Sequence, residues 1–206
     1  MSDTNSEWYA TMEELKYALE LTNTAHLDGD IPRALEAAGQ GIDEACGRTF
    51  VLDGDSTHVR WYSPTNPRTI EIDDLAVVTS VMTDVDGNGT FETTWTRNTD
   101  YVLEPLNSVE DGRPFERLRV HSRGGKGWWP CWERSVQVTG QFGWPRVPKS
   151  VNQACLIIAT KLIRRMRDAP FGVVTIGLDG AAVHIARNDP DVTFLLAAYT
   201  RTYPFA

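Results

Sequence analysis

Apolar residues recur along this chain with two different spacings, and the switch between them divides it. Thr11-Met-Glu-Glu14 has the spacing of a capping box, with Thr11 as N-cap and Glu14 as its reciprocal partner. Leu15, Ala18, Leu19 and Leu21 follow at helical spacing, which predicts a first helix ended by the polar stretch 22–29. Asp30 is placed to cap a second helix, with Pro32 in its first turn, where a missing N–H costs nothing. Leu35, Ala38, Ile42 and Ala45 form its apolar stripe, and Gly47 stands where a left-handed glycine stops a helix.

The spacing then changes. Segments 59–62, 69–72, 77–82, 91–95, 101–103, 115–121 and 135–139 are short and rich in β-branched and aromatic residues. Turn signals separate them, among them Ser63-Pro64, Asp86-Gly87-Asn88-Gly89 and Gly124-Gly125-Lys126-Gly127. In Arg117-Leu118-Arg119-Val120 apolar and charged residues alternate, as in an antiparallel sheet with one wet face. Helical spacing returns at 149–168, where Val151, Ala154, Cys155, Ile158, Ala159, Leu162 and Ile163 make one broad apolar face. Lys161, Arg164, Arg165 and Arg167 suit the negative end of that helix, and Pro170 blocks its continuation. Residues 169–188 show no clear period and carry Gly172, Gly177 and Gly180, so a mobile loop is expected there. Asp189 then caps a last short helix, with Pro190 at its first position and Leu195, Leu196 and Tyr199 on its face.

The pattern predicts an α+β protein: a small helical bundle with an inserted antiparallel β domain. The bundle has two N-terminal helices, one long C-terminal helix and one short one. The expected boundaries are 1–49 for the N-terminal helices and 50–143 for the β domain. Residues 144–206 supply the C-terminal helices, loop and tail that complete the bundle.

Composition narrows the partners. At 206 residues the chain can bury a sizeable core. It carries 20 Lys+Arg against 28 Asp+Glu, a formal net charge of −8. That disfavours tight nucleic-acid binding, which needs a basic surface, and leaves only transient contact with passing DNA. The basic run Arg164-Arg165-Met166-Arg167 reads as a solvated helix end. The three cysteines, Cys46, Cys131 and Cys155, are far apart and form no CxxC pair, so they read as small apolar residues of a reduced protein. No signal peptide or membrane span is evident, and synthesis in the cytoplasm is expected.

Candidate chemistry is sparse. Asp84-Val-Asp86-Gly-Asn88-Gly89-Thr-Phe-Glu92 resembles the first half of a calcium loop, but its twelfth position is Trp95 and its flanks read as strands. A hairpin turn is favoured. Gly124-Gly-Lys-Gly127 lacks the ending and the helix of a phosphate-binding loop. Trp128, Trp129, Trp132 and Trp144 read as residues that close a β core, with an exposed ligand-stacking patch as the alternative. His26, His58, His121 and His184 have no ligand-like spacing. Asp73 and Asp74 would point to opposite faces of a strand, and a solvated turn is favoured for them. No catalytic residue, metal site or cofactor is expected.

The order of segments carries a resemblance. Two short helices end in Ala45-Cys-Gly47-Arg48-Thr49-Phe50, and a β insertion follows. Then come Val138-Thr-Gly-Gln-Phe-Gly-Trp144, the helix start Pro148-Lys-Ser-Val151-Asn-Gln-Ala154 and a glycine-bearing loop. Asp189-Pro-Asp-Val192 leads to Leu195-Leu196 and Tyr199-Thr-Arg201. This succession resembles the head–tail connector (adaptor) family of tailed double-stranded DNA phages, with a β insertion larger than in its mostly helical members. The resemblance implies a virion protein of the head–tail junction with no enzymatic role. Such proteins form a ring, typically of twelve subunits, below the portal protein; the ring extends the DNA channel and docks a stopper or tail terminator. A tail-completion or stopper protein of the same assembly, and a calcium-dependent binding module, are the alternative readings. On the leading one, Tyr199, Arg201, Tyr203 and Phe205 grip the portal, because Pro204 keeps this aromatic-rich segment out of a helix and aromatic and Arg side chains anchor interfaces. The loop bearing Phe171, Gly172, Gly177 and Gly180 orders against a neighbouring subunit.

Overall fold

In a computed structural model of the protein, the described residues are 9–19, 29–54, 56–168 and 177–201. They are α+β: six helices and a six-stranded antiparallel sheet. They fall into two compact units, one made of the segments up to Phe50 and from Val147 onward, the other of Val51–Arg146. No helix among the described residues is long and apolar enough to cross a membrane.

The first unit is helical. α1 (Met12–Ala18) starts with the capping box read from the sequence: Thr11 Oγ1 accepts from the Glu14 N–H at 3.2 Å, and Glu14 Oε2 accepts from the Thr11 N–H at 2.8 Å. Leu15 is the buried residue of this helix, and Leu21 lies outside the described residues. α2 (Asp30–Cys46) begins one residue earlier than expected. Gly29 is its N-cap and Asp30 is already helical, where its charge favours the positive helix end. Gly47, left-handed at φ 65°, closes it as the sequence indicated. α4 (Lys149–Asp168) buries all seven residues of its predicted face. α6 (Pro190–Leu196) is capped by Asp189, whose Oδ1 accepts from the Asp191 and Val192 N–H groups at 3.1 and 3.3 Å. Its buried residues are Val192 and Leu196, and Tyr199 follows the helix rather than belonging to it.

One expectation for this unit fails. Residues 178–188, assigned to a mobile loop, form α5 (Leu178–Asn188), so the unit has a third C-terminal helix. Gly177 is its N-cap and Gly180 lies in its first turn. Gly172, Gly177 and Gly180 read as loop signals and mask a helical period that is present: Leu178, Ala181, Ala182, Ile185 and Ala186 do recur at helical spacing, with Ala181, Ala182 and Ala186 buried. They pack against α2, whose own contact surface includes the buried Gly41. Small faces on both helices let the backbones approach closely.

The second unit is a sheet with strand order β1-β6-β2-β5-β4, and β3 also pairs with β2. Its strands are β1 (His58–Tyr62), β2 (Thr69–Thr83), β3 (Thr93–Trp95), β4 (Tyr101–Glu104), β5 (Phe115–Val120) and β6 (Val136–Phe142). β2 joins what the sequence showed as two strands. Its first half pairs with β5, its second half with β3, and β6 runs along Leu75–Thr83 with two register shifts. Those irregularities break the alternation that marks a single strand. β6 keeps strict alternation, with Val136, Val138 and Phe142 inward. The core of this unit gathers β-branched and aromatic residues from all of β2 to β6, with Trp129 added from a loop. A one-turn helix, α3 (Ser108–Asp111), interrupts the strands.

Asp73 and Asp74 sit within β2, not in a solvated turn. Asp74 is 5% exposed and accepts from Trp144 Nε1 at 3.0 Å, while Asp73 receives Arg60 Nη1 at 2.8 Å and the Tyr62 hydroxyl at 3.1 Å. Their separate partners match the expectation that the two carboxylates do not converge.

Candidate functional site: a tryptophan-lined pocket beside an acidic hairpin loop

The four clustered tryptophans divide by position. Trp129 and Trp144 are buried, whereas Trp128 and Trp132 are 71% and 42% exposed. Core closure is therefore right for one pair and wrong for the other. Gly124–Trp132 is a loop running past β3, so consecutive indoles take different environments. Trp129 enters the core by stacking on Trp95 of β3, with ring centroids 3.8 Å apart and planes at 22°. The Trp129 N–H donates to Pro67 O at 2.8 Å, which fixes the loop to the sheet unit.

These residues open onto a pocket of about 480 Å³. Trp95 and Trp129 form its depth, Trp128 and Trp132 lie at its exposed side, and Val85 and Pro130 complete the apolar wall. Lys126 is the charged side chain of the lining. Its ammonium donates to Thr94 O, lies 3.2 Å from Asp100 Oδ2 and sits 5.0 Å from the Trp95 ring centroid. Asp100 also accepts from the Thr96 N–H at 2.8 Å. That backbone hydrogen bond, opposed by burial and helped by Lys126, holds the Asp100 carboxyl below the usual carboxylate range. The sequence reading weighed Lys126 only as part of a phosphate cradle. Asp100 carried no signal, because its partner lies 26 residues away in sequence.

The acidic loop adjoins this pocket. Asp84 Oδ1 accepts from the Gly87 N–H at 2.7 Å and Oδ2 from the Gly89 N–H at 2.8 Å. Gly87 and Gly89 have φ of 76° and 86°, values that favour glycine. Asn88 bonds Asp86 and Glu92, and Thr90 N–H donates to Asn88 Oδ1 at 2.7 Å. This is the hairpin turn expected between two strands. One oxygen from each of Asp84, Asp86 and Glu92 lies within 4.8 Å of the others. Burial pushes the Asp84 carboxyl up, and the N–H groups of Gly89 and Gly87 hold it lowered overall. The carboxylates thus already serve to organise the turn.

The residues singled out for partner contacts belong to the helical unit. Tyr199 is half-buried, and its ring meets Phe50 edge-to-face with centroids 5.7 Å apart. Phe50 in turn meets Tyr9 at 5.8 Å, and Arg201 N–H donates to Cys46 O at 2.8 Å. Residues up to Arg201 are thereby tied to the end of α2. Phe171, Gly172, Tyr203 and Phe205 lie outside the described residues. Cys46 and Cys155 are buried as expected, but Cys131 is exposed and lines the pocket. Arg164, Arg165 and Arg167 are exposed along the end of α4.

No family model matches the chain, and no curated protein is similar to it. Among solved structures, a chain from the neck of an empty gene transfer agent particle is similar at 16% identity, with a TM-score of 0.48 over 88% of this chain and 91% of that one. A chain from the virion of a native gene transfer agent particle is similar at 16% identity, with a TM-score of 0.49 over 96% of this chain and 92% of that one.

Proposed function

We propose that this chain is a structural neck protein of a phage-like particle, acting as the adaptor that forms a ring below the portal and docks the next neck or tail protein. The observation that supports this most is the succession of segments in the chain. The helical unit is left at Phe50, a sheet unit is built, and the helical unit resumes at Val147. That is the order which resembles the connector family. The role needs surfaces rather than chemistry. A ring requires heterologous contacts, one face of a subunit against a different face of the next. An acidic wall repels DNA and lets it slide.

On this reading the segment from Tyr199 to Phe205 grips the portal, and the stretch around Phe171, Gly172, Gly177 and Gly180 meets a neighbouring subunit. Electron microscopy of the protein mixed with the portal encoded beside it tests the proposal. An added ring below the portal is the expected result. An undecorated portal, with the protein folded, refutes the adaptor assignment. Removing residues 202–206 should abolish attachment and leave the circular dichroism spectrum unchanged. Undiminished attachment refutes the role of this segment.

A further inference from the structure

The rim of the tryptophan pocket carries negative charge that the fold leaves uncompensated. Asp84, Asp86 and Glu92 bring one carboxylate oxygen each within 4.8 Å of the others. Among the described residues, no Lys or Arg forms an ion pair with any of the three. The N–H groups of Gly87, Gly89 and Asn88 and the Asn88 amide hold these carboxylates in place, but those donors are neutral and cancel no charge. The acidic loop meets the exposed indoles directly. Val85 and Thr93, chain neighbours of the three carboxylates, line the pocket. A Cβ at Gly87 would stand 3.9 Å from Trp132 Nε1. Neither the Trp128 ring nor the Trp132 ring has an aromatic or cationic partner among the described residues. The inner half of the same pocket shows what such a combination accepts. There the Lys126 ammonium sits 5.0 Å from the Trp95 ring centroid and 3.2 Å from Asp100 Oδ2, a cation held between an indole face and a carboxylate. The outer half repeats indole and carboxylate without the cation.

We propose that this outer half binds an arginine side chain presented by a partner protein. The guanidinium lies on the Trp128 or Trp132 ring and pairs with Asp86 or Glu92, whose side chains are exposed. Charge complementarity selects a cation, and the exposed ring faces select a flat one. A guanidinium is planar and weakly hydrated, stacks on indoles, and carries a fork of N–H donors that matches a carboxylate. A lysine ammonium is a strongly hydrated point charge and gains less from the ring face. The aliphatic stem of arginine also covers apolar surface such as Val85 and Pro130. Lys126 does not oppose this occupant, because Asp100 matches its charge. The net charge of −8 adds attraction for a basic partner at longer range. This inference stands on the sheet unit alone and does not depend on the neck assignment.

The test uses the isotopically labelled full chain and a pentapeptide of alternating glycine and arginine, acetylated and amidated at its ends. EDTA is present so that no divalent cation competes. The readout is the indole N–H signals in heteronuclear magnetic resonance spectra. Saturable shifts of the Trp128 and Trp132 signals are expected, with a Kd at or below about 1 mM, typical of a weak peptide site. The same peptide with citrulline for arginine keeps the shape and loses the charge, and should bind about tenfold more weakly. Trp128→Ala with Trp132→Ala should weaken binding about fivefold or more, as loss of a cation–π partner does. Asp86→Asn with Glu92→Gln should weaken it by a similar factor and flatten its dependence on salt. All four side chains are exposed, and circular dichroism checks that each double variant keeps the fold. Absence of saturable binding overturns the proposal, and so does equal binding of the citrulline peptide to the wild-type chain. Spermidine binding as tightly as the arginine peptide overturns it too, since the site would then select positive charge alone. Unchanged affinity in either folded double variant overturns it, because the rings or the carboxylates would then not hold the ligand.

Discussion

The close contact between α2 and α5 allows a prediction whose sign, not only its size, is informative. Gly41 is buried in α2 against α5. A Cβ at Gly41 would stand 2.8 Å from the carbonyl carbon of Ala182, 2.9 Å from its Cβ and 3.0 Å from the Val183 nitrogen. Two of these three atoms are backbone, so no rotamer change relieves the clash and α5 must move as a body. Two effects compete in Gly41→Ala. Helix propensity favours alanine by about 1 kcal/mol. Overpacking a close-packed contact costs about 1–3 kcal/mol, and more where rigid backbone must shift. The clash should win, leaving Gly41→Ala about 1–2 kcal/mol less stable than the wild type. Gly39→Ala is the internal control. It lies in the same helix, where the nearest atoms are Tyr9 ring carbons at an ordinary 3.9 Å. There the propensity gain stands alone, and a stabilisation of about 0.5–1 kcal/mol is expected. Urea denaturation of the three proteins, followed by far-UV circular dichroism, measures both differences. If Gly41→Ala is stabilised as much as Gly39→Ala, residues 178–188 do not pack on α2 as a helix, and the reasoning fails.

Three further outcomes follow from the hydrogen-bond network. Burial raises the Asp43 carboxyl to about 6, with hydrogen bonds from Tyr9 and Thr49 partly opposing the shift. The protonated form is favoured in the folded protein, so this stabilisation is complete below the ordinary carboxylate pKa and is lost as pH rises through about 6. Asp43→Asn, whose amide oxygen can still accept from the Tyr9 hydroxyl, should therefore gain about 1–2 kcal/mol relative to wild type between pH 4 and 7, after allowance for solvent screening. A stability difference that stays flat across that range in urea titrations would falsify the assignment. Trp144→Phe removes the indole donor of the buried Asp74 and should cost about 1–3 kcal/mol in the same assay. Asp189→Ala removes the cap of α6 together with the Lys161 contact and should cost about 1–2 kcal/mol. Asp189→Asn, which keeps a capping oxygen, should recover most of that loss, and a shortfall as large as alanine's would show that the cap contributes nothing.

Reading along the chain found whatever is written in neighbouring residues. The capping box at Thr11 and Glu14, the Gly47 stop, the face of α4 and the Asp189 cap depend on side chains within a turn or two of each other. They are legible for that reason. The turn at Asp84–Glu92 is equally local, since its carboxylates bond backbone within five residues.

Other features were decided only when distant segments met. The close approach of α5 to α2 is one of them, because alanine suffices where a glycine-bearing helix lets two backbones meet. β2 became one strand because β5, β3 and β6 share its length. Asp74 is buried because an indole 70 residues away supplies its donor. The candidate site follows the same rule. Trp128 and Trp129 are adjacent and chemically alike, yet one is exposed and the other stacks on Trp95 in the core. Composition determined that aromatic surface would be plentiful. Only the tertiary structure decided which indole is buried, because burial depends on every group that folding brings within reach.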